Sequence, residues 1–342
     1  MCTGIKLVTE ENEVFWGRTQ DFEQDFDYAG IKIPRNWDFK TAYTPFETKY
    51  AVMGIVWAEH DVKENPVVLD GINEHGLCGG SFYFDHFYKY VPADEVERSG
   101  KIGLRGEEVV TWILTNYKDL DEVKENLNKD VGVVSESGPM MGKSVPQHSV
   151  FQDKSGRSIV VEPTRENGFD IYENTVGVFT NEPGFDWHVT NLKTHLERSS
   201  RRKYKYTIEE PIEPFKLDEF NTGLSGVPSG LSPDARFLRA AYHKLLSVDV
   251  TRDDALHQLI HLLGAVTNPK GSLRLLKENK VVLPWTQYTS YYDVSEMTFY
   301  IKLYENTNLQ KLEFNPEDVD RKEVQYYSFR KDEVIVDLLP EN

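Results

Sequence analysis

Apolar and polar positions alternate from the start of the chain. Residues 2–8, Cys-Thr-Gly-Ile-Lys-Leu-Val, read as a strand; Thr9-Glu10-Glu11-Asn12-Glu13 is a polar turn; residues 14–19, Val-Phe-Trp-Gly-Arg-Thr, read as a second strand. A short turn between two such strands predicts an antiparallel hairpin, which carries Arg18 to Asp21 back beside Cys2. Similar patterning predicts strands at 31–33, 50–57 and 77–84, with a turn-rich stretch at 71–76. It returns at 147–152, 158–162, 168–172 and 177–180, and again at 285–294, 297–304, 326–329 and 333–338.

Helical spacing breaks into this series. Val109, Ile113 and Tyr117 recur at i, i+4 and i+8 and predict a helix over 105–117. Asp119 with Glu122 opens a second helix carrying Leu120, Val123 and Leu127. Residues 186–198 also read as helical. Ser232-Pro233-Asp234 supplies an N-cap, a proline at the first helical position and an acid, ahead of Leu238, Ala241, Tyr242 and Leu245. Thr251 with Asp254 opens a helix that ends near Gly264. Residues 199–230 sustain no period and hold several prolines and glycines, so a long loop is expected there. The order strands, helix pair, strands, helices, strands gives an α+β class, with helices covering sheet faces.

Charge and composition narrow the function. The chain has 342 residues, with 39 basic and 56 acidic side chains and a net charge of −17. That balance argues against nucleic-acid partners and against adhesion to an anionic membrane. No apolar run reaches transmembrane length and no apolar signal region precedes Cys2, so a cytoplasmic protein is expected. The two cysteines, Cys2 and Cys78, do not suggest a disulfide framework.

Cys2 carries the candidate chemistry. Removal of Met1 leaves a thiol and a free α-amine on one residue, so nucleophile and general base share one backbone position. An α-amine titrates near ~7.7–8.0 and a thiol near ~8.5, both within reach of neutral pH. The hairpin adds a cation, Arg18, which favours a thiolate, and a carboxylate, Asp21, which can hold the amine. Asn181 stands at a strand end before Pro183 and Gly184, where a carboxamide serves either the turn or a cleft. Arg236 lies in the first turn of its helix, a position that disfavours a cation by about 0.3–1 kcal/mol and so asks for a partner.

Four motifs in order carry a resemblance. Cys2-Thr3-Gly4 with Gly17-Arg18-Thr19-Gln20-Asp21-Phe22 is the first and Asp70-Gly71-Ile72-Asn73-Glu74-His75-Gly76-Leu77 the second. The third is Thr180-Asn181-Glu182-Pro183-Gly184-Phe185-Asp186-Trp187-His188, and the fourth Ala235-Arg236-Phe237-Leu238-Arg239. Together they resemble the choloylglycine hydrolase family, N-terminal-nucleophile amidases that include bile salt hydrolases and penicillin V acylases. The resemblance runs from Cys2 to at least Tyr242. It implies a four-layer αββα sandwich, the N-terminal-nucleophile hydrolase fold, as a single domain over residues 2–342. It also implies that 199–230 is an assembly loop reaching a neighbouring subunit of a homotetramer. The roles implied are Cys2 as nucleophile and base, Arg18 and Arg236 (not Arg239) as support for the thiolate, and Asp21 as the group orienting the amine. Asn181 and the Tyr83 N–H are implied to bind the oxyanion, with no cofactor and no metal.

The substrate expectation rests on Tyr83. Bile salt hydrolases carry asparagine at the aligned position and penicillin V acylases carry tyrosine, which adds an aromatic wall. The resemblance therefore leans toward penicillin V, with conjugated bile salts second and acyl-homoserine lactones third. A catalytically inactive binding protein on the same fold is the reading from another class. Two rival sites remain on the residues alone. Cys78 could pair with His75, His86 or His148, although a small buried residue is the simpler reading of its strand position. His257 and His261 are spaced i, i+4 but lack an accompanying glutamate motif.

Overall fold

The structure is a computed structural model that describes residues 1–40, 42–58, 65–138, 142–205, 226–277 and 279–338. Two large sheets organise it. The first has six strands in the order Val178–Phe179, Cys2–Val8, Val14–Phe22, Trp285–Asp293, Thr298–Leu303 and Gln310–Glu313. The second has eight, in the order Gly168–Glu173, Ser158–Arg165, Gln147–Gln152, Cys78–Tyr83, Val68–Asn73, Val52–Trp57, Tyr28–Ile33 and Gln325–Ser328. All pairings within these two sheets are antiparallel.

Period-two alternation builds the layers. In the Val52–Trp57 strand, Met53 and Ile55 face the core shared with the first sheet, where Ile5, Trp16 and Tyr292 also pack. Val52 and Val56 face the other way, onto Val110, Ile113 and Leu114 of the Val109–Asn116 helix and Val123 and Leu127 of the Leu120–Asp130 helix. The outer face of the first sheet is covered by the helices Pro233–Leu246 and Arg252–Gly264. Gly17 permits that approach: a Cβ there would lie 2.8 Å from Leu263 Cδ1 and 2.6 Å from Ser290 O. Helix, sheet, sheet, helix is the αββα order, the N-terminal-nucleophile hydrolase fold.

The local sequence signals hold where they rest on caps. Asp119 accepts the Glu122 N–H at 2.9 Å and starts its helix. Pro233 occupies the first position after Ser232 as expected. Three expectations are corrected. Residues 71–73 belong to the Val68–Asn73 strand rather than to a turn, because ladder pairing carries them. The helix after Asn181 runs Phe185–Lys205, beyond the expected end, so the 199–230 loop does not begin at 199. Residues 206–225 of that loop lie outside the described residues. Residues 333–338 form no strand: Ile335, Val336 and Leu338 are exposed, without a ladder for their backbone.

Candidate active site

The opening hairpin forms in the register its short turn dictates, with Cys2 opposite Gln20 and Gly4 opposite Arg18. Side chains on one face of a strand pair meet diagonally as well as directly. Arg18 Nη2 accordingly donates to Cys2 Sγ at 2.8 Å. Its Nη1 donates to Ser81 O at 2.6 Å, across the gap between the sheets. The guanidinium lies over the Phe82 ring, 4.5 Å from the centroid, and 3.6 Å from Asp70 Oδ2. Asp70 is wholly buried and accepts the hydroxyls of Tyr288 at 2.6 Å and Tyr292 at 2.7 Å. Burial pushes the Arg18 pKa down, but Cys2, Tyr288, Asp70 and Asp21 together raise it above its ordinary value, so the cation persists.

Asn181 and Arg236 meet the other side of Cys2. Asn181 Oδ1 accepts the Cys2 N–H at 2.5 Å and Arg236 Nη2 at 3.0 Å. Two donors on one atom assign it as the oxygen, so Nδ2 faces the Tyr83 carbonyl, to which it donates at 2.8 Å. Nδ2 carries a second hydrogen beyond that bond. Arg236 Nη1 donates to Cys2 O and to Thr3 Oγ1, each at 2.5 Å, and Nε donates to Leu231 O at 3.0 Å. The expected thiolate support from Arg236 is thus not a contact with Sγ; the guanidinium grips the Cys2 backbone and the Asn181 amide. Its pKa is lowered by burial, against the pull of Asp21 and Cys2.

Asp21 is three residues from Arg18 along a strand, so it faces the opposite side of the sheet. Its carboxylate accepts from Asn268 Nδ2 at 2.7 Å and Thr286 Oγ1 at 2.6 Å. With Met1 in place, the chain's amino group donates to the Asp21 backbone carbonyl at 2.6 Å. The nitrogen of Cys2 is held by Asn181 Oδ1 instead. The sequence reading gave the amine to Asp21 alone and did not foresee this use of Asn181.

Tyr83 ends its strand at the mouth of the site. Phe84 N donates to Pro146 O, so the N–H of the preceding residue, Tyr83, points to the opposite edge of the strand. Pairing on that edge stops at Asp70–Gly80, which leaves the Tyr83 N–H beyond the end of the ladder. The Tyr83 ring lines a cleft with Phe22, Phe26, Tyr28, Trp57 and Val145, and Cys2, Gln20 and Met1 lie on its wall. The cleft encloses about 550 Å³ including its open mouth. Phe26 packs edge-on to Trp57 at 4.6 Å and Phe22 edge-on to Tyr83 at 6.4 Å. Gln20 Oε1 accepts from Arg18 Nη2 and lies 3.5 Å from Cys2 Sγ. Gln20 and Asp70 stand in the sequence motifs without an assigned role, and Tyr288 and Tyr292 lie outside those motifs. Gln20 had a signal, because it shares a strand face with Arg18.

The rival sites dissolve. Cys78 is fully buried, and burial pushes its thiol well up. His148 spends both ring nitrogens elsewhere, on Glu162 at 3.0 Å and Thr180 O at 2.9 Å. His75 packs edge-on against Tyr50, and His86 is exposed beside Asp85. Among the described residues no group of three or more His, Cys, Asp or Glu side chains is placed to hold a metal ion.

Comparison with known proteins bears on this geometry. The family model for linear amide C–N hydrolases, choloylglycine hydrolase family, matches residues 2–327. A Clostridium perfringens protein named bile salt hydrolase/transferase is 32% identical over 340 residues, covering 97% of this chain and 98% of its own. The crystal structure of the C2A mutant of conjugated bile acid hydrolase from the same organism is 30% identical, with a TM-score of 0.82 over 99% of this chain and 100% of that one. Penicillin V acylase from Agrobacterium tumefaciens shares the fold at 17% identity, with a TM-score of 0.71 over 95% of this chain and 90% of that one.

Proposed function

This chain belongs to the choloylglycine hydrolase family of linear amide C–N hydrolases, and we propose that it cleaves conjugated bile salts through Cys2 once Met1 is removed. One observation carries the chemistry: Cys2 presents its sulfur to Arg18 at 2.8 Å and its nitrogen to Asn181 at 2.5 Å, at the wall of an apolar cleft. The Cys2 thiolate attacks the amide carbonyl carbon, and the oxyanion is met by the second Asn181 Nδ2 hydrogen and the Tyr83 N–H. The C–N bond breaks as the Cys2 ammonium gives its proton to the leaving amine. Water, deprotonated by the same amine, then releases the acid from the thioester. Arg18 holds the thiolate, Arg236 fixes the Cys2 backbone, and Asn181 Oδ1 holds the Cys2 nitrogen.

The substrate class revises the sequence expectation. The bile salt names of the relatives at 30–32% identity support the steroid conjugates over penicillin V, since the penicillin V acylase likeness at 17% speaks only for the fold. Penicillin V stays as a second reading because Tyr83, Phe22, Phe26 and Trp57 make the cleft aromatic. The deciding measurement is kcat/KM for glycocholate, taurocholate and penicillin V in one buffer. A bile salt preferred by about tenfold or more is expected, and the reverse preference overturns the reading. Intact-mass measurement should find Met1 absent in active protein; full activity with Met1 retained excludes the amine as base. A homotetramer built from single-domain chains is proposed on the family resemblance, and a monomer mass in light scattering overturns it.

A further inference from the structure

Asn181 meets Cys2, Arg236 and Tyr83 through one carboxamide, yet it lies outside regular structure. The short Val178–Phe179 strand ends two residues earlier, and the next helix begins at Phe185. Its position must come from side chains around it. Two buried imidazoles grip the two successive carbonyls there. His148 Nε2 lies 2.9 Å from Thr180 O, and His188 Nε2 lies 3.0 Å from Asn181 O. Both rings are about 1% exposed, so neither bond competes with water.

The chemistry of the partners assigns the hydrogens. A carbonyl oxygen only accepts, so Nε2 carries a hydrogen in both rings. His148 Nδ1 meets Glu162 Oε1 at 3.0 Å, and the same oxygen accepts the Phe185 N–H at 3.0 Å. Glu162 therefore ties the ring that holds Thr180 to the first residue of the helix beyond Asn181. Stacking fixes the ring planes: His148 lies 4.0 Å from Phe84 at 15°, and His188 lies 4.8 Å from Phe237 at 18°. Burial lowers the His188 pKa to about 4, which keeps that ring a neutral donor.

We propose that His148, held by Glu162, is a positioning residue that sets Asn181 for the oxyanion by clamping the Thr180 carbonyl, with His188 clamping the carbonyl of Asn181 itself. The proposal rests on the reading of Asn181 as oxyanion donor. Oxyanion donors act through preorganised geometry, and displacement by about 1 Å can cost on the order of 10²-fold in rate.

A double-mutant cycle tests it on whichever amide the wild-type enzyme cleaves. His148→Gln should lower kcat by about tenfold or more and leave KM within about twofold, and should add no loss in an Asn181→Ala background. An equal fractional loss in both backgrounds overturns the proposal, because His148 would then act independently of Asn181. An Asn181→Ala enzyme with undiminished kcat overturns the oxyanion reading itself. Glu162→Gln, which keeps the side-chain volume, serves as the second variant if His148→Gln does not fold. It should give a smaller fall in kcat that also vanishes with Asn181→Ala, and a fall that persists overturns the clamp.

Discussion

The guanidinium of Arg18 stands 2.8 Å from the sulfur of Cys2 and 3.6 Å from the carboxylate of Asp70, so one buried cation faces both groups. A buried charge is costly unless paired, and Asp70 with its two tyrosines keeps Arg18 charged where water is excluded. The sulfur is then its one partner inside the reaction space of the cleft wall that is itself a nucleophile.

Removing the cation should expose its role. Arg18→Leu is expected to lower kcat/KM by roughly 10²-fold and to slow alkylation of Cys2 by iodoacetamide at pH 7, because the thiolate loses its counter-charge. Alkylation at the wild-type rate would show that Arg18 does not act on the sulfur.

Asp70 should matter more for stability than its distance from the chemistry suggests. Asp70→Asn leaves Arg18 buried against a neutral partner, a change expected to cost about 3–5 kcal/mol. Denaturant unfolding checks this, and the Tyr288→Phe and Tyr292→Phe variants should each cost less, about 1–3 kcal/mol, as single lost hydrogen bonds to a charge. A shift in midpoint within error for Asp70→Asn would remove the account.

Cys78 should be dispensable for catalysis. It faces the inter-sheet core and its thiol is held protonated by burial. Cys78→Ala is expected to keep kcat while costing on the order of 1 kcal/mol of stability, whereas Cys2→Ala should abolish turnover. Activity assays on the two variants, with unfolding curves, separate them.

Glu107 gives a pH signature. Its carboxyl is buried, with Oε2 accepting the Val145 N–H at 2.9 Å and Oε1 without a partner among the described residues. Burial raises its pKa to about 7. The folded protein therefore binds more protons than the unfolded chain between about pH 4.5 and 7, and stability falls as pH rises through that window. His188 has the opposite sign: lowered to about 4, it makes stability rise with pH from about 4 to 6.5. Glu107→Gln should remove the first slope and gain up to about 3 kcal/mol relative to the parent at pH 8 over pH 4.5. Melting temperatures of both proteins across that range check the sign.

Tyr83 should tilt the choice of acyl group without deciding it. Tyr83→Asn removes one aromatic wall but leaves the backbone N–H in place. It is expected to raise the ratio of glycocholate to penicillin V kcat/KM by about tenfold, the lower end of what one pocket group is worth. An unchanged ratio would detach specificity from this ring.

Short-range physics made much of this protein legible in its sequence. A five-residue polar turn between alternating strands pairs Cys2 with Gln20 and brings Arg18 to the thiol, since hairpin register is set locally. The side-chain cap at Asp119 and the helix start at Pro233 are equally local. The same period-two rule also places Asp21 on the face opposite Arg18, a consequence present in the spacing that the expected amine contact overlooked. What only the tertiary structure decided involves partners far apart in the chain. Arg236 reaches Cys2 O rather than its sulfur, and Asn181 lends its oxygen to the Cys2 nitrogen. Asp70 meets Tyr288 and Tyr292 across the two sheets. The cleft draws Trp57 and Val145 to the Phe22–Phe26 aromatics. No local propensity encodes such meetings, because they follow from how two independently patterned sheets stack and which of their inward side chains then share one gap.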